Sequence, residues 1–258
     1  MATYKSIRYL VPDEVVEHTD SINALADVDT STVAPEVGQT LKWSAANSRW
    51  QPADIEEAGS SGTQKAIFGF GSPSGVTNVS NLVSSSGVVA TDTTGVGTAR
   101  TGIAAAGYGD DKAIFGFGKY DYGETNVTNL VSNLGVVASD TTGVGTSRGF
   151  LAAAGYGGDK AIFGFGNTAS NNRKNMTNLV SSSGVVATDT TGVGTARRQL
   201  AAAGYGGDKA IFGFGLETGW NLTNTSNLVS NAGVVATDTT GVGTYRYGLA
   251  AAGYSSTA

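Results

Sequence analysis

The side chains that most often do chemistry are scarce in this chain. It has one histidine, His18, and no cysteine, which argues against histidine-cluster metal sites, thiolate sites, cysteine nucleophiles and a histidine general base. Glycan cleavage needs two carboxylates about 5 to 10 Å apart. The acidic candidates that interrupt the repeats described below are Asp121, Glu124 and Glu217, and nothing in their spacing pairs them. The sequence therefore predicts no catalytic residue, no metal and no cofactor.

A second set of carboxylates recurs at one position. Each of these aspartates precedes an arginine by eight residues. The aspartates are Asp92, Asp140, Asp189 and Asp238, and the arginines are Arg100, Arg148, Arg197 and Arg246. Such a set forms either Asp–Arg pairs between neighbouring units or a ring of cation ligands, and structural pairing or turn capping is favoured. The nearby GVGT and GFG segments lack the context of a phosphate loop.

These residues belong to a fourfold internal repeat. The segment KAIFGFG begins at Lys65, Lys112, Lys160 and Lys209, so successive copies are 47, 48 and 49 residues apart. A period of this size indicates a propeller, a solenoid or an array. Each unit contains four candidate strands, here named a (LAAAGY), b (KAIFGFG), c (TNLVSSSG) and d (GVVATDTTG), and Gly/Asp turns join a to b.

The order of the strands predicts a closed ring. The repeats begin on strand b and end on a spare strand a at 249–254, which would complete the first blade and remove an open sheet edge. The small strand a would line a narrow axis, while Ile67, Phe68 and Phe70 would pack between blades. We therefore expect an all-β protein: a four-bladed β-propeller over 61–258, closed by its C-terminal strand and preceded by a small arm over 1–60.

The repeat resembles the kelch family. The residues that carry the resemblance are the GFG strand endings, the tyrosines Tyr108, Tyr156 and Tyr205, and the recurring arginines. Gly-Phe-Gly replaces the kelch diglycine, and the usual kelch Trp is missing. The resemblance implies a kelch-like architecture and carries no kelch biology.

The arm has its own pattern. Residues 22–55 predict short strands around TLKWSAANSRW, followed by a linker over 56–64. This segment resembles one found in virion structural proteins of tailed phages, especially marine cyanophages, which also often open with a start like MATYK. Asp27, Asp29, Trp43 and Trp50 carry that resemblance, together with neighbouring Gly, Gln and Pro residues. The resemblance implies a virion location and an arm that docks on other virion proteins.

The repeats differ from one another in two places. One is the b-to-c connection, and the other is the pair of residues after each repeated arginine, in the d-to-a connection. Both connections emerge at the same end of an up-and-down blade, so we expect one variable face. Its predicted binding residues are Tyr120, Tyr122, Phe150, Arg173, Lys174, Arg198, Trp220 and Tyr247. Drift of surface loops explains such variation as well as a selected binding face does.

Composition limits the partners. Net charge is -5 and charged residues make up 14% of the 258 residues, so no basic field for nucleic acid is present. The chain also lacks a signal-like or membrane-spanning apolar run. Together with these limits, the resemblance of the arm implies a non-enzymatic phage structural protein (fibre, neck or tail appendage, or capsid decoration) that forms homo-oligomers on the particle. Its variable face would contact host-surface glycan or protein; the alternative is a glycan-binding or glycan-cleaving tail protein.

Overall fold

The computed structural model describes residues 7–11, 14–18, 39–44, 48–54 and 65–254. Contacts between Cα atoms divide the chain into two units, residues 1–62 and 63–258, which are described separately. Regular structure in the described ranges consists of β-strands and one 3-10 turn, Thr218–Trp220. The protein is therefore all-β, as predicted.

The described part of the first unit consists of two hairpins. Trp43 stands opposite Trp50 in the second of them, so the two tryptophans flank the turn as the alternation of apolar residues predicts. The hairpins are β1 (Ile7–Val11) with β2 (Glu14–His18), and β3 (Gln39–Ser44) with β4 (Arg49–Asp54), both antiparallel.

The second unit contains the four repeats. Strands a, b and c form where the sequence predicts them, because short apolar runs alternate there with Gly, Asp and Ser turns. In the first two repeats the strands are β5 (Ala66–Gly71), β6 (Thr77–Val83), β7 (Ala104–Tyr108), β8 (Lys112–Gly116), β9 (Lys119–Tyr120), β10 (Gly123–Glu124) and β11 (Thr128–Val131). In the last two they are β12 (Ala152–Tyr156), β13 (Lys160–Gly164), β14 (Thr177–Val180), β15 (Ala201–Tyr205), β16 (Lys209–Leu216) and β17 (Leu222–Val229).

Repeats two to four each form a three-stranded antiparallel sheet in the order a-b-c. The predicted strand d is not a regular strand. It touches strand c only through isolated bridges, such as Thr128 to Thr141 and Val131 to Val137 in the second repeat. The side chain of Asn129 also donates to the carbonyl oxygen of Ala138 at 3.0 Å. A side-chain amide thus replaces part of the backbone ladder in each blade.

The predicted closing strand does not form in this structure. Strand β5 pairs with β6 alone, and residues 249–254 carry no ladder. A Cβ at Gly253 would lie 2.7 Å from the carbonyl oxygen of Gly204, so the C-terminal segment lies against strand a of the fourth repeat. A Cβ at Gly204 would likewise lie 3.5 Å from the carbonyl oxygen of Gly155, because the residues there are small. Segment 249–254 therefore continues the stack of strands a and does not return to the first repeat.

The core lies between successive repeats. Two buried clusters contain residues of strands a, b and c, including Ile114, Ile162, Phe163 and Phe212, each with 0% exposure. Burying one such side chain contributes roughly 1.5 to 3 kcal/mol. The stability of the repeat unit therefore comes mainly from its junctions, as the bulk in strand b predicts.

Candidate recognition face

The two variable zones are hydrogen-bonded to each other in repeats two, three and four. Thr101, the first residue of a variable pair, exchanges two backbone hydrogen bonds with Lys119 at 2.8 and 2.7 Å, just after strand b. Gly149 does the same with Asn167, at 2.9 Å in both directions. Since the pair belongs to the d-to-a connection and its partner to the b-to-c connection, both zones lie at one end of the strands.

The second residue of each pair joins neighbouring repeats. The Phe150 amide donates to the Gly102 carbonyl at 2.8 Å, the Gln199 amide to the Phe150 carbonyl at 2.8 Å, and the Gly248 amide to the Gln199 carbonyl at 2.9 Å. These residues form a line across all four repeats. The prediction that the variable zones share one face is therefore confirmed, and we call this surface the variable face.

Arg198 lies at the centre of an aromatic group on this face. Its guanidinium carbon is 5.7 Å from the centroid of the Phe150 ring and 5.4 Å from that of Trp220. Trp220 is 67% exposed, and Tyr247 is also exposed. This geometry allows cation–π attraction to both rings while leaving an aromatic surface open to solvent.

Arg173 differs from its prediction as an exposed residue. It is only 8% exposed, because it lies within the b-to-c connection of the third repeat and bridges to Asn167. One terminal nitrogen donates to the Asn171 carbonyl at 2.9 Å, while Nε and the other terminal nitrogen have no hydrogen-bond partner. Burial without partners is costly for an arginine.

The two arginines act on each other. Burial lowers the pKa of Arg198, the positive charge of Arg173 lowers it further, and Tyr247 opposes this shift. The Nε of Arg198 also lacks a hydrogen-bond partner. Among the described residues, neither arginine forms an ion pair with a carboxylate. The variable face thus holds two uncompensated cations beside exposed aromatic rings.

The other predicted face residues are distributed around this group. Tyr120 and Tyr122 form a separate edge-to-face pair in the second repeat, with ring centroids 6.1 Å apart, and Tyr122 is 92% exposed. Lys174 is half-buried, and its amide donates to the Gly166 carbonyl at 2.8 Å. Arg198, Phe150 and the neighbouring aromatic side chains therefore form one cluster, and the two tyrosines form another.

The carboxylates considered for catalysis do not form a recognisable pair. Glu124 belongs to the second repeat, and its Oε2 is buried without a hydrogen-bond partner. Glu217 belongs to the fourth repeat, where its charge raises the pKa of Arg197. A whole repeat separates the two in the chain.

The sequence reasoning missed the backbone signal at Gln199. Phe150 and Gln199 have φ values of 56° and 51°, in the left-handed region, where the matching positions of the other repeats carry Gly102 and Gly248. A position that alternates between glycine and larger residues in otherwise near-identical repeats is the signal that could have identified it. It marks two places where a side chain is retained in a strained conformation.

The recurring Asp–Arg set forms the junctions between repeats. Arg148 is fully buried and lies over the Phe117 ring at 4.8 Å. It donates to Asn178 Oδ1 at 2.6 Å and pairs with Asp189 of the next repeat at 3.2 Å. Asp189 in turn accepts from the Thr146 hydroxyl at 2.6 Å and from the Asn178 amide at 2.9 Å. The predicted structural pairing is confirmed for the three arginines followed by another repeat, Arg100, Arg148 and Arg197.

The electrostatics of the junctions fit this role. Burial lowers the pKa of Arg197 to about 10, against the opposing charges of Asp238 and Glu217. Burial alone would raise the pKa of Asp238, but hydrogen bonds from Thr195 and Asn227 and the charge of Arg197 lower it below its ordinary value. Both groups are therefore ionised at neutral pH. Within the described ranges, no group of three or more His, Asp or Glu side chains could hold a metal ion.

Of the four arm residues predicted to dock, Asp27 and Asp29 lie outside the described residues. Trp43 and Trp50 are paired in the backbone register of the β3–β4 hairpin, and Trp50 is 40% exposed. In the part of the chain that the structure covers, no helix has the length and hydrophobicity of a membrane span.

Comparison with known proteins identifies no family for this chain. No protein-family profile matches the chain, and no curated protein matches it. Among solved structures, the chain is similar to one described as the structure of YjhT, with 12% identity and a TM-score of 0.46 over 62% of this chain. The match spans 51% of that protein, about half its length. A likeness of this size identifies no family.

Proposed function

We propose that the protein is a non-enzymatic structural component of a tailed-phage virion: its arm docks on the particle, and its variable face binds a host-surface ligand. One observation carries the binding role. Arg198, which has no acidic partner among the described residues, lies beside Phe150 and the exposed Trp220 on the face where the repeats differ.

Backbone strain favours selection over drift as the origin of this face. Phe150 and Gln199 occupy left-handed positions where glycine serves in two other repeats. Such a conformation costs on the order of 1 to 3 kcal/mol for a residue with a side chain. Loop drift would lose large residues from these positions, whereas a ligand contact would retain them.

The side chains suggest the class of ligand. Exposed Trp220 and Tyr247 offer flat apolar surfaces on which a sugar ring can stack, and the Arg198 guanidinium matches carboxylate or sulfate oxygens. The ligand that fits both features is an anionic glycan. A protein epitope rich in acidic residues would satisfy the arginines but leave the aromatic surface less well used.

We also propose that each repeat is a kelch-like blade and that the four belong to a propeller-like arrangement. Three-stranded sheets in the order a-b-c, with an irregular fourth segment, support this description. The recurring Tyr, GFG and Arg positions that resemble kelch repeats lie in corresponding places in each sheet.

The virion location rests on the resemblance of residues 22–55 to tailed-phage structural proteins. Its test is direct: antibodies against the chain should label purified particles of the phage that encodes it, and mass spectrometry should detect the chain in them. Deleting residues 1–60 should abolish incorporation while leaving the repeat unit folded. A chain missing from purified particles would overturn the proposed location.

The binding role is tested with paired variants. Arg198→Ala and Trp220→Ala should each reduce binding to host cells, or to an array of anionic glycans, by at least tenfold. Leu134→Ala, an exposed change in the c-to-d connection, and Lys112→Ala, an exposed change at the start of strand β8 beside the a-to-b turn, lie at the other end of the strands. They serve as controls and should leave binding unchanged. Binding that is insensitive to all four changes would contradict a ligand site on the variable face.

The glycan-cleaving alternative predicts a different result. It requires a carboxylate such as Glu124 to act on the bound sugar, so Glu124→Gln would abolish product release while binding persisted. The proposal expects no release of sugar by the unmodified chain and no effect of Glu124→Gln on binding.

A further inference from the structure

The three internal junctions of the repeat unit are built from the same groups. At each one, an arginine of the earlier repeat lies over a phenylalanine of its own repeat and reaches an asparagine and an aspartate of the next. In the third junction, Arg197 lies 4.2 Å from the Phe165 centroid, donates to Asn227 Oδ1 at 2.6 Å and pairs with Asp238 at 3.8 Å. Phe165 and Phe212 complete the contact, with ring centroids 5.2 Å apart.

The C-terminal end of the repeat unit presents half of a fourth junction. Arg246 lies over Phe214 at 4.1 Å, as the buried arginines lie over theirs, but it is exposed. Among the described residues, its side chain donates only to the Thr244 carbonyl. At the third junction, Gly164 and Gly194 lie against side chains of the next repeat. The equivalent glycines at this end, Gly213 and Gly243, have no such neighbour among the described residues. A Cβ at Gly243 would meet nothing within 4 Å, whereas one at Gly194 would meet Asp238 at 2.3 Å.

Gly164 and Gly213, which occupy the same repeat position, differ in the same way. A Cβ at Gly164 would meet the ring of Phe212 at 2.7 Å, but one at Gly213 would meet only its own repeat, at Ser226. A groove runs along this end, and its lining includes Gly213, Phe214 and Ala251. The groove is thus open where a phenylalanine from a following repeat would lie.

The N-terminal end presents the other half. Phe68 is 62% exposed, while its equivalents Phe115, Phe163 and Phe212 are at most 4% exposed. Asp92 is exposed and accepts from the Asn81 amide at 2.8 Å, in the arrangement that the other aspartates have, but it pairs with no arginine in the part of the chain that the structure describes. Strand β5 also lacks the strand a that every later strand b has beside it.

We propose that the C-terminal end of the repeat unit binds the N-terminal end of a second copy of this chain, so that a complete blade forms between two molecules. Phe68 of one copy fills the groove beside Gly213 and Phe214 of the other, and Asp92 of the first receives Arg246 of the second. The spare segment 249–254 supplies the missing strand a to β5. Adding a strand to an exposed edge is a common mode of association, and two different ends that meet in this way form a heterologous contact.

The internal blades fix the register of this pairing. Ala201 pairs with Gly213, and Tyr205 pairs with Lys209. By the same offset, Ala250 pairs with Gly69 of the second copy, and Tyr254 pairs with Lys65. The partner is a second copy because its end offers the same Phe, Asn and Asp at the same spacing that each internal junction uses, with charge opposite to Arg246. This inference does not rest on the proposed virion or ligand role.

Mass measurement of the full chain gives the first test. The unmodified chain should form multiples of 26.0 kDa in light scattering and native mass spectrometry. Arg246→Ala and Asp92→Ala, each exposed and each keeping the circular dichroism spectrum of the fold, should remain monomeric alone. A mixture of the two has one intact pair of ends and should form a 1:1 dimer that grows no further. Tyr122→Ala, an exposed change on the variable face, should leave the assembly unchanged.

Cysteine crosslinking separates association from ring closure within one chain. The chain has no cysteine, so Lys65→Cys and Tyr254→Cys introduce the only thiols, and residues paired across antiparallel strands lie within disulfide range. A mixture of the two single variants should give a covalent dimer under oxidising conditions. A disulfide that forms only within the doubly substituted chain would show intramolecular closure and overturn the proposal, as would a monomer at every concentration with no crosslink at all.

Discussion

Arg197 and Arg198 are neighbours in the chain and lie in opposite environments. Arg197 is fully buried in a junction, with its guanidinium over Phe165 and its nitrogens donating to Phe214 and Asn227 of the next repeat. Arg198 lies on the variable face, beside Trp220 and without an acidic partner. One step along the backbone thus separates a structural arginine from a candidate binding arginine.

The difference between Arg197 and Arg198 separates two classes of residue in this chain. Arg197 recurs in every repeat because each junction needs the same cation between Phe, Asn and Asp. Arg198 occurs once, where the other repeats carry Thr101, Gly149 and Tyr247. Residues that recur stabilise the junctions between repeats, and residues that do not recur are available to bind a ligand. The predictions below test this division.

The largest expected effect is at the centre of a junction. Phe163→Ala removes a ring with 0% exposure that packs on Phe117 at 5.2 Å, and we expect a loss of about 3 to 5 kcal/mol in the free energy of unfolding. Phe68→Ala changes the same repeat position at the open end, where the ring is 62% exposed. It should cost less than about 1 kcal/mol in the monomer. Urea denaturation measures both, and equal losses would contradict the contrast between junction and open end.

The next effect compares two arginines at the same repeat position, one in a junction and one at the open end. Arg197→Ala leaves Asp238 and Asn227 without their partner, so we expect a loss of about 3 kcal/mol. Arg246→Ala is the matched control, since it removes the same repeated arginine at a position that is exposed and has no junction partner among the described residues. It should change the unfolding free energy of the monomer by less than about 0.5 kcal/mol. Thermal unfolding of the two variants side by side decides whether burial in a junction makes the difference.

Much of the repeat unit could be predicted from the sequence because the repeats supply an internal comparison. The fourfold pattern located strands a, b and c, the Asp–Arg junctions and the variable face. The prediction of a regular strand d is wrong, although the apolar run at Val88 and Val89 is typical of a strand. The Asn81 side-chain amide donates to the Ala90 carbonyl, which a regular ladder would pair with a backbone amide.

The closing strand shows where repeat counting fails. Segment 249–254 has the sequence of a strand a, but sequence identity does not say whether it pairs with β5 of its own chain or continues the stack beside β15. Packing places the segment beside β15, because its small residues let Gly253 approach Gly204 closely. The burial of Arg173 is not predicted either, because a charged residue in a variable loop is usually exposed.

A smaller effect depends on pH. Burial alone would raise the pKa of Asp189, but hydrogen bonds from Thr146 and Asn178 and the charge of Arg148 lower it below its ordinary value of 3.8. A carboxyl whose pKa is lower in the folded state stabilises the fold above its ordinary pKa, and this contribution is lost as pH falls through the lowered value. Stability should therefore decrease below about pH 4. Asp189→Asn should cost about 1.5 kcal/mol at pH 7 and weaken this acid dependence, as urea midpoints at several pH values will show.

Asp92→Asn is the control for that experiment, because Asp92 occupies the same repeat position with Asn81 as its hydrogen-bond partner and no arginine. It should cost less unfolding free energy at pH 7 than Asp189→Asn, because no arginine of an earlier repeat depends on it. If both variants cost the same free energy, the aspartates stabilise their own repeats and not the junctions.

The smallest effect on stability is expected on the variable face. Arg198→Ala and Trp220→Ala should change the unfolding free energy by less than about 0.5 kcal/mol, because Trp220 is exposed and Arg198 has no ion pair to lose. Removing the uncompensated charge of Arg198 beside Arg173 should even raise stability slightly. Loss of ligand binding in a variant that unfolds like the unmodified chain would separate Arg198 from Arg197 in function as clearly as burial separates them in structure. A loss of stability at Arg198 comparable to that at Arg197 would mean that the unrepeated residues also support the stack.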